Sequence, residues 1–210
     1  MKSMTKSLII NCSLDPKSSV PELRRAIEEF SQYTVVGFRD VSSDFRVAND
    51  VDTVIVSGSF ARIVKLDDRE MFKEIVRLIS IVDRPLLGIC FGHQLISWSL
   101  GAEADSLATP VEKFEEISPL RDDEIFDGFE ENQSIPLAER HNDYITEKSL
   151  QKAGLILLAN SSSCQVEAVK HQKKTFYGVQ FHPERTQIKD EIHLEGLKII
   201  ENFYKRIVKS

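Results

Sequence analysis

The stretch "PLLGICFGHQLISWSLGA" (85–102) changes midway from an apolar, strand-like run to a helical pattern. "PLLGI" predicts a buried strand, and "GHQLISWSLGA" predicts a helix that closes near Gly101. Cys90 stands between these two elements, and Gly88 and Gly92 flank it at a distance of two residues. Gly-x-nucleophile-x-Gly is the spacing of a sharp elbow between a strand and a helix, because larger flanking side chains would collide with neighbouring backbone. Taken by itself, the stretch fits a reactive cysteine at such an elbow and a small buried cysteine equally well.

The segments around this stretch predict an α/β fold. In the first hundred residues, apolar runs typical of buried strands alternate with amphipathic helical patterns. The predicted strands are 7–12, 34–38, 52–58 and 85–89, and the predicted helices are 20–33, 67–82 and 92–102. Strands joined by helices imply parallel pairing and a sheet that is covered by helices on both faces.

From about residue 102 the pattern changes to shorter strand-like segments without strong helices between them. These segments are 109–120, 134–145, 154–163, 164–171 and 175–181, and a last amphipathic helix covers 191–208. Leucine, isoleucine and valine residues are the core candidates of that helix: Leu194, Leu197, Ile200, Ile207 and Val208. The sequence thus predicts one domain over 1–210, with a mostly parallel central sheet, helices on both faces and a small antiparallel or mixed extension.

Composition and charge exclude several classes of protein. A net charge of −6 without a clustered basic stripe argues against a nucleic-acid surface. Three widely spaced cysteines are typical of reduced thiols rather than of a disulfide framework. The apolar patch near the N-terminus is too short for a signal peptide, and no apolar run approaches bilayer length. These features predict a cytoplasmic protein without membrane contact. The histidines lack metal-ligand spacing such as HExxH, so we predict no metal site.

A second motif, "YGVQFHPE" (177–184), ends an apolar run with His182, Pro183 and Glu184. Extended residues two apart point to the same side, so the imidazole and the carboxylate can share a face. Proline fixes its own φ and favours extended geometry before it. A carboxylate beside an imidazole fixes the tautomer and stabilises the imidazolium, as a base that serves a thiol requires.

A third stretch, "VIVSGSF" (54–60), ends a predicted strand in a turn of small residues. A thiol that attacks an amide creates an oxyanion, and backbone N–H groups are the usual donors that stabilise it. The N–H of Phe91, next to the cysteine, is one candidate donor. The turn Ser57-Gly58-Ser59 could supply the other, although a turn of this composition is also common without a function.

Together, "GICFGHQ" and, about ninety residues later, "GVQFHPE" resemble the class I (triad-type) glutamine amidotransferase family. The resemblance covers essentially the whole chain and implies the flavodoxin-like α/β fold of that family. It implies that Cys90 is the nucleophile, His182 the general base and acid, and Glu184 the residue that orients the histidine. The implied reaction cleaves the side-chain amide of glutamine through a Cys90 thioester and needs no metal.

The same resemblance assigns the remaining candidate residues. It implies that Phe91 and the Gly58–Ser59 turn form the oxyanion hole, and that Gln94 helps to hold the substrate glutamine. The family usually has Ser-Gly-Gly-Pro where this chain has Ser57-Gly58-Ser59-Phe60. Because serine resists positive φ more than glycine does, the resemblance leaves open whether the hole is preformed.

Two stretches are similar to the glutaminase subunit of GMP synthases. They are "CQVEAVKHQKKTFYGVQFHPE" (164–184) and "RHNDYI" (140–145), and the second makes Asn142 and Asp143 candidates for the glutamine pocket or a synthetase interface. The start "NCSLDPKSS" departs from that subunit, which usually has Asp-x-Gly-x-Gln there.

The chain contains neither a Ser-Gly-Gly-x-Asp-Ser pyrophosphate loop nor a GxxxxGK[ST] loop. The resemblance therefore implies that ATP and Mg²⁺ belong to a separate ATP-pyrophosphatase-type synthetase, most similar to GMP synthetase, that docks at the mouth of the site. The open alternatives are a stand-alone γ-glutamyl hydrolase or peptidase, the glutaminase subunit of another synthetase, and a non-catalytic regulatory relative.

Overall fold

The computed structural model describes residues 4–209. Nine strands belong to the main sheet: β1 (Thr5–Asn11), β2 (Ser31–Gly37), β3 (Thr53–Val56), β4 (Leu86–Ile89), β5 (Ala104–Pro119), β6 (Ile135–Ile145), β7 (Leu155–Ser161), β8 (Ala168–His171) and β9 (Phe176–Val179). Two short strands, β10 (Gln187–Ile188) and β11 (Glu191–Ile192), form a separate antiparallel pair. The helices are α1 (Pro21–Ile27), α2 (Leu66–Met71), α3 (Lys73–Ile81), α4 (Phe91–Ser99) and α5 (Glu195–Asn202), and α5 continues as a π-helical turn, Phe203–Val208.

The sheet has the order β2-β1-β3-β4-β9-β8-β7-β5-β6. The first five strands in this order pair in parallel, and the remaining pairs are antiparallel. Strand β9 belongs to both parts, because it pairs in parallel with β4 and antiparallel with β8. The predicted fold class is confirmed, including the return of the last strand to the main sheet.

Alternate residues of the central strands pack into two cores, one on each face of the sheet. Ile9 and Ile55 face a core that contains residues of α1 and α5. Leu8 and Val54 face the opposite core, which contains residues of α3 and α4. Helices on both faces exclude water from the central strands, whose side chains are nearly all buried.

The helix predicted at 20–33 ends early, at Ile27. Ser31 instead begins β2, where its hydroxyl contacts Ser7 Oγ at 2.7 Å and donates to the carbonyl of Thr5 at 2.9 Å. These buried hydrogen bonds tie the start of β2 to β1, so tertiary pairing overrides a helical pattern that could have continued.

The helix predicted at 67–82 is divided at Phe72, which separates α2 from α3. The ring of Phe72 is fully buried between those of Phe38 and Phe91, with centroid distances of 4.2 and 4.7 Å. The packing of this ring holds the Phe72 backbone outside the helical conformation and so interrupts the helix.

The last helix begins at Glu195 rather than at 191, because β11 occupies the preceding residues. Leu194 is therefore 60% exposed and is not a core residue, whereas Ile200 and Ile207 are buried as predicted. Across the described residues, no helix is both long and apolar enough to cross a bilayer.

Candidate active site

Cys90 lies at the carboxyl end of β4 and directly before α4, in a backbone conformation that is rare for a side-chain-bearing residue (φ 51°, ψ −109°). The flanking glycines permit this turn through close approach. A Cβ on Gly88 would lie 2.5 Å from Ile96 Cδ1, and a Cβ on Gly92 would run into the carbonyl oxygen of Val56. The predicted elbow is therefore present, and its strained backbone is of the kind that clusters at functional sites.

His182 lies beyond the end of β9 rather than inside the extended strand that the sequence predicted. Residues 182–185 form a turn that is closed by the Arg185 N–H donating to the carbonyl of His182 at 3.1 Å. Pro183 occupies the second position of this turn, where its fixed φ is favoured. The imidazole and the carboxylate still meet, since His182 Nδ1 lies 2.9 Å from Glu184 Oε1.

The pKa of His182 is raised well above its ordinary value of 6.5. Burial alone would lower it, but the negative charges of Glu184 and of the Cys90 thiolate, together with hydrogen bonds to both, outweigh that effect. The arrangement favours an imidazolium beside the sulfur of Cys90. Such a pair can attack a carbonyl carbon and protonate a leaving amine.

Gly58 lies directly against this pair. A Cβ on Gly58 would be 2.9 Å from His182 Cε1 and 3.6 Å from Cys90 Cβ. The hydroxyl of Ser57 accepts from the Cys12 N–H at 3.0 Å and holds the turn to the end of β1. Ser59 is not among the residues with positive φ within 4–209, so its serine side chain causes no backbone strain here.

Phe91 is the first residue of α4 and is 1% exposed. The first N–H groups of a helix have no acceptor within the helix, so the Phe91 N–H is available next to the sulfur. The structure thus brings Phe91, Gly58 and Cys90 to one place, and their role as an oxyanion hole stays a prediction.

Gln94 and Gln180 form a buried amide chain beneath the cysteine. Gln94 Nε2 donates to Gln180 Oε1 at 3.0 Å and to the backbone carbonyl of Asp143 at 2.6 Å. Gln180 Nε2 in turn donates to Cys90 Sγ at 3.7 Å. Gln94 therefore reaches the cysteine through Gln180, and its predicted contact with glutamine is not tested.

The carboxylate of Asp143 is bound to Arg62. Arg62 Nε and Nη2 lie 2.8 and 2.6 Å from Asp143 Oδ1, and the Ser106 hydroxyl donates to the same oxygen at 3.0 Å. The side-chain amide of Asn142 also faces the Arg62 guanidinium. Asp143 thus fixes an arginine that the sequence analysis did not single out.

Two cavities flank the cysteine and the histidine. The first, which we call the Cys90 cavity, has a volume of about 250 Å³ and is lined by 59–62, 110–112, 140–143, Cys90 and Gln94. The second, which we call the His182 cavity, has a volume of about 290 Å³ and is lined by 20–23, 57–60, Ser13, Ser18, Arg140, His182, Glu184 and Arg185. Ser59, Phe60 and Arg140 border both, and the Arg140 guanidinium lies 4.6 Å over the Phe60 ring. The predicted pocket residues Asn142 and Asp143 line the Cys90 cavity.

Two acids form a buried pair without exposed surface: Glu139 of β6 and Glu167, which directly precedes β8. Burial, followed by the charge of Glu167, raises the pKa of Glu139 well above its ordinary range. Burial also raises the pKa of Glu167 to about 7, against hydrogen bonds from Glu139 and Ser161 that lower it. The pair therefore keeps at least one proton at neutral pH.

His141 connects this pair to the Cys90 cavity. Its Nδ1 lies 3.1 Å from the carbonyl of Asp143, which can only accept, so Nδ1 carries the hydrogen. Its Nε2 is then an acceptor and lies 3.2 Å from Glu139 Oε2. Burial lowers the pKa of His141, which agrees with a neutral ring facing a protonated carboxyl group.

Sequence reasoning missed Gln180, Arg62, Arg140 and the buried acid pair. Gln180 carried a usable signal, because it lies two residues before His182 in the motif that was singled out. The others carried none, since a charged residue is usually solvated. Among residues 4–209, no group of three His, Cys, Asp or Glu side chains could hold a metal ion.

The chain is similar to proteins of one known family. The profile of the family "Glutamine amidotransferase class-I" matches residues 14–206. A glutamine-hydrolysing GMP synthase of Brachyspira hyodysenteriae is 30% identical over 188 residues, which are 89% of this chain and 34% of that protein. One subunit of the glutamine-hydrolysing GMP synthase of Methanothermobacter thermautotrophicus is 38% identical over 129 residues, which are 61% of this chain and 64% of that subunit.

The chain thus matches about a third of the first of these relatives and just under two thirds of the second. Among solved structures, a protein assigned as a GMP synthase subunit from Thermoplasma acidophilum superposes with a TM-score of 0.82 at 24% identity. The superposition covers 100% of this chain and 96% of that one, and it shows that the two share a fold.

Proposed function

Because the chain belongs to the class I glutamine amidotransferase family, we propose that it hydrolyses glutamine to glutamate and ammonia with Cys90 as nucleophile, His182 as acid and base, and Glu184 as the orienting carboxylate. The observation that carries this proposal is the strained elbow at Cys90, which meets a histidine that is hydrogen-bonded to a carboxylate at 2.9 Å. A structural cysteine would need neither the strain nor the raised histidine pKa.

The proposed reaction begins with Cys90 as a thiolate and His182 as an imidazolium. The Cys90 thiolate attacks the amide carbon of glutamine, and the His182 imidazolium donates its proton to the departing ammonia. The neutral imidazole then takes a proton from water, which attacks the thioester and releases glutamate. The backbone N–H groups of Phe91 and of the Gly58–Ser59 turn stabilise the oxyanion in both steps.

The Cys90 cavity is the proposed glutamine site. It contains the nucleophile, and Arg62 supplies a cation that is held by Asp143 and can face a carboxylate. The amide chain of Gln94 and Gln180 orients the sulfur toward this cavity. Asn142 completes the wall beside Arg62.

The proposed partner is a separate ATP- and Mg²⁺-dependent synthetase that uses the ammonia for GMP. The relatives named as GMP synthases and GMP synthase subunits support this choice. Phe60 stands at the rim of both cavities with 68% of its surface exposed. Aromatic side chains of this kind anchor protein interfaces, so the rim around Phe60 is the proposed docking surface.

The deciding experiment measures ammonia release from glutamine by the purified chain, alone and with a GMP synthetase subunit, ATP and XMP. We expect low activity alone, a strong increase with the loaded partner, and no activity in Cys90→Ala. Cys12→Ala is the matched control, because Cys12 is also buried and lies outside both cavities.

Full activity that ignores the partner would replace the ammonia-donor proposal with a stand-alone hydrolase. Activity that survives in Cys90→Ala would refute the assigned nucleophile. Silence in every mixture would favour another synthetase or a non-catalytic relative.

A further inference from the structure

The two cavities lie on different sides of the Cys90–His182 pair. Cys90 borders only the first of them, and His182 borders only the second. Ser59, Phe60 and Arg140 line both cavities and so lie between them, and the Arg140 guanidinium is stacked on the Phe60 ring. A γ-glutamyl group in the Cys90 cavity therefore has its reacting carbonyl at the boundary between the cavities.

Proton transfer decides which side the leaving amine occupies. The amine must face the group that protonates it, and that group is His182 in the proposed mechanism. The water that replaces the amine must approach from the same side, because the same imidazole activates it. The His182 cavity is therefore the leaving-group side of the site.

The wall of this cavity is held in place by hydrogen bonds. Asn11 Nδ2 donates to the carbonyl of Ser18 at 2.7 Å, and the Ser13 N–H donates to Asn11 Oδ1 at 3.0 Å. Val20 ends the same loop with a φ of 46°, which is costly for a β-branched residue. These contacts fix the loop between β1 and α1 as one side of the cavity.

The cavity is much larger than ammonia requires. Its volume of about 290 Å³ compares with about 30 Å³ for one water molecule in the liquid, and ammonia has the same number of heavy atoms as water. Val20, Pro21, Leu23 and Phe60 give part of its lining an apolar character. Of its charged groups, Glu184 is bound to His182, while Arg140 and Arg185 both lie within 3.5 Å of Glu112 Oε1. The remaining carboxylate of the lining, Glu22, is exposed to solvent.

We propose that the His182 cavity binds substituents on the amide nitrogen, so that the chain also hydrolyses γ-glutamyl amides of short, uncharged alkylamines. This inference rests on the proposed roles of Cys90 and His182. The thiolate forms a bond to the γ-carbonyl carbon, the C–N bond breaks, and His182 gives its proton to the departing alkylamine. Water then hydrolyses the same γ-glutamyl thioester that glutamine forms, so no other reactant is consumed.

The test compares glutamine with γ-glutamylethylamide, which presents the same acyl group and adds two carbons on the nitrogen. Glutamate is the common product, and its formation is followed for the purified chain alone and with the GMP synthetase subunit, ATP and XMP. We expect kcat/KM for the ethylamide to lie within a hundredfold of the value for glutamine. A smaller value, with glutamine still cleaved, would overturn this inference and leave the proposed function intact.

Two variants test whether the alkyl group binds in the His182 cavity. Ser18→Phe introduces a ring at the half-buried cavity wall, and Ser19→Phe introduces the same ring at the exposed neighbouring residue outside the lining. We expect Ser18→Phe to lower kcat/KM for the ethylamide at least tenfold and for glutamine less than twofold, and Ser19→Phe to change neither. An equal loss on both substrates in Ser18→Phe would refute the assigned binding site. Failure to cleave either substrate in any mixture would refute both this inference and the proposed function.

Discussion

The buried carboxyl groups of Glu139 and Glu167 should make the stability of the protein fall as the pH rises through neutrality. Burial raises the pKa of Glu167 from 4.5 to about 7. A carboxyl group whose pKa is higher in the folded than in the unfolded state contributes stability that is fully present below pH 4.5. That contribution is lost as the pH rises through about 7, because folding then requires a buried charge.

Replacing Glu167 by glutamine removes this ionisation, and it also removes a charge that raises the pKa of Glu139. One pKa unit corresponds to about 1.4 kcal/mol, so the shift of Glu167 amounts to about 3 kcal/mol between acidic and alkaline pH. Glutamine has nearly the same shape and stays neutral, and the Ser161 hydroxyl that donates to Glu167 Oε1 at 2.6 Å can accept from the new amide. We expect Glu167→Gln to match the native protein at pH 4.5 and to exceed its stability by about 3 kcal/mol at pH 8.5.

Urea unfolding of both proteins at several pH values measures the difference directly. In thermal melts the same difference is about 6–12 °C for a chain of this size. Glu131→Gln, at an exposed position, removes the same charge without burial and should give no pH-dependent difference. A difference between Glu167→Gln and the native protein that stays constant from pH 4.5 to 8.5 would show that Glu167 does not titrate as its burial implies.

Three further predictions concern the candidate site. Gly58→Ala would place a methyl group 2.9 Å from His182 Cε1. We therefore expect the rate of glutamine hydrolysis to fall about a hundredfold, while the melting temperature changes by less than about 4 °C. An unchanged rate would show that the glycine does not set the distance between the turn and the histidine. Burial lowers the pKa of His182, but the charge of Glu184 is a main cause of the net increase in that pKa. Glu184→Gln should therefore lower the pKa of the His182 ring, as followed by NMR. An unchanged pKa would contradict the role assigned to Glu184. Arg62→Ala leaves the carboxylate of Asp143, 2% exposed, with only Ser106 and the Val64 N–H as donors. Because the Arg62 side chain is itself 29% exposed, we expect a loss of about 1–3 kcal/mol in urea unfolding; an unchanged stability would show that solvent replaces the guanidinium.

The alternation of apolar runs and amphipathic patterns was enough to predict the parallel half of the sheet. It could not predict where tertiary contacts end or divide a helix. Ser31 ends a helical pattern because its hydroxyl is needed between two strands, and Phe72 divides another because its ring is held between two others. Both effects come from partners that are distant in the sequence, and local periodicity contains no information about them.

In the candidate site, too, features set by local sequence were predicted and features set by distant partners were not. The elbow glycines and the His-Pro-Glu motif were visible because local geometry dictates the residue types. The prediction for the proline was wrong, since Pro183 lies in a turn and does not extend the strand. Arg62 and Glu139 were invisible, because a charged residue reveals its burial only when its partners from other strands are known.

The glycines at the elbow belong to a packing unit that spans two strands and a helix. Gly88 of β4 and Gly178 of β9 are paired in register, and a Cβ on Gly178 would run into the ring of His93. His93 is completely buried, and neither ring nitrogen has a hydrogen-bond partner among the described residues. The imidazole thus serves as a space-filling plug in the hollow that Gly178 leaves.

This packing restricts which single substitutions residues 93 and 178 can accept. A side chain added at residue 178 has no room until residue 93 becomes smaller, and a smaller residue at 93 leaves a void until residue 178 grows. Either single step passes through a poorly packed intermediate directly beneath the cysteine. The two positions are therefore expected to act as mutual suppressors in a genetic screen, although neither residue lines either cavity.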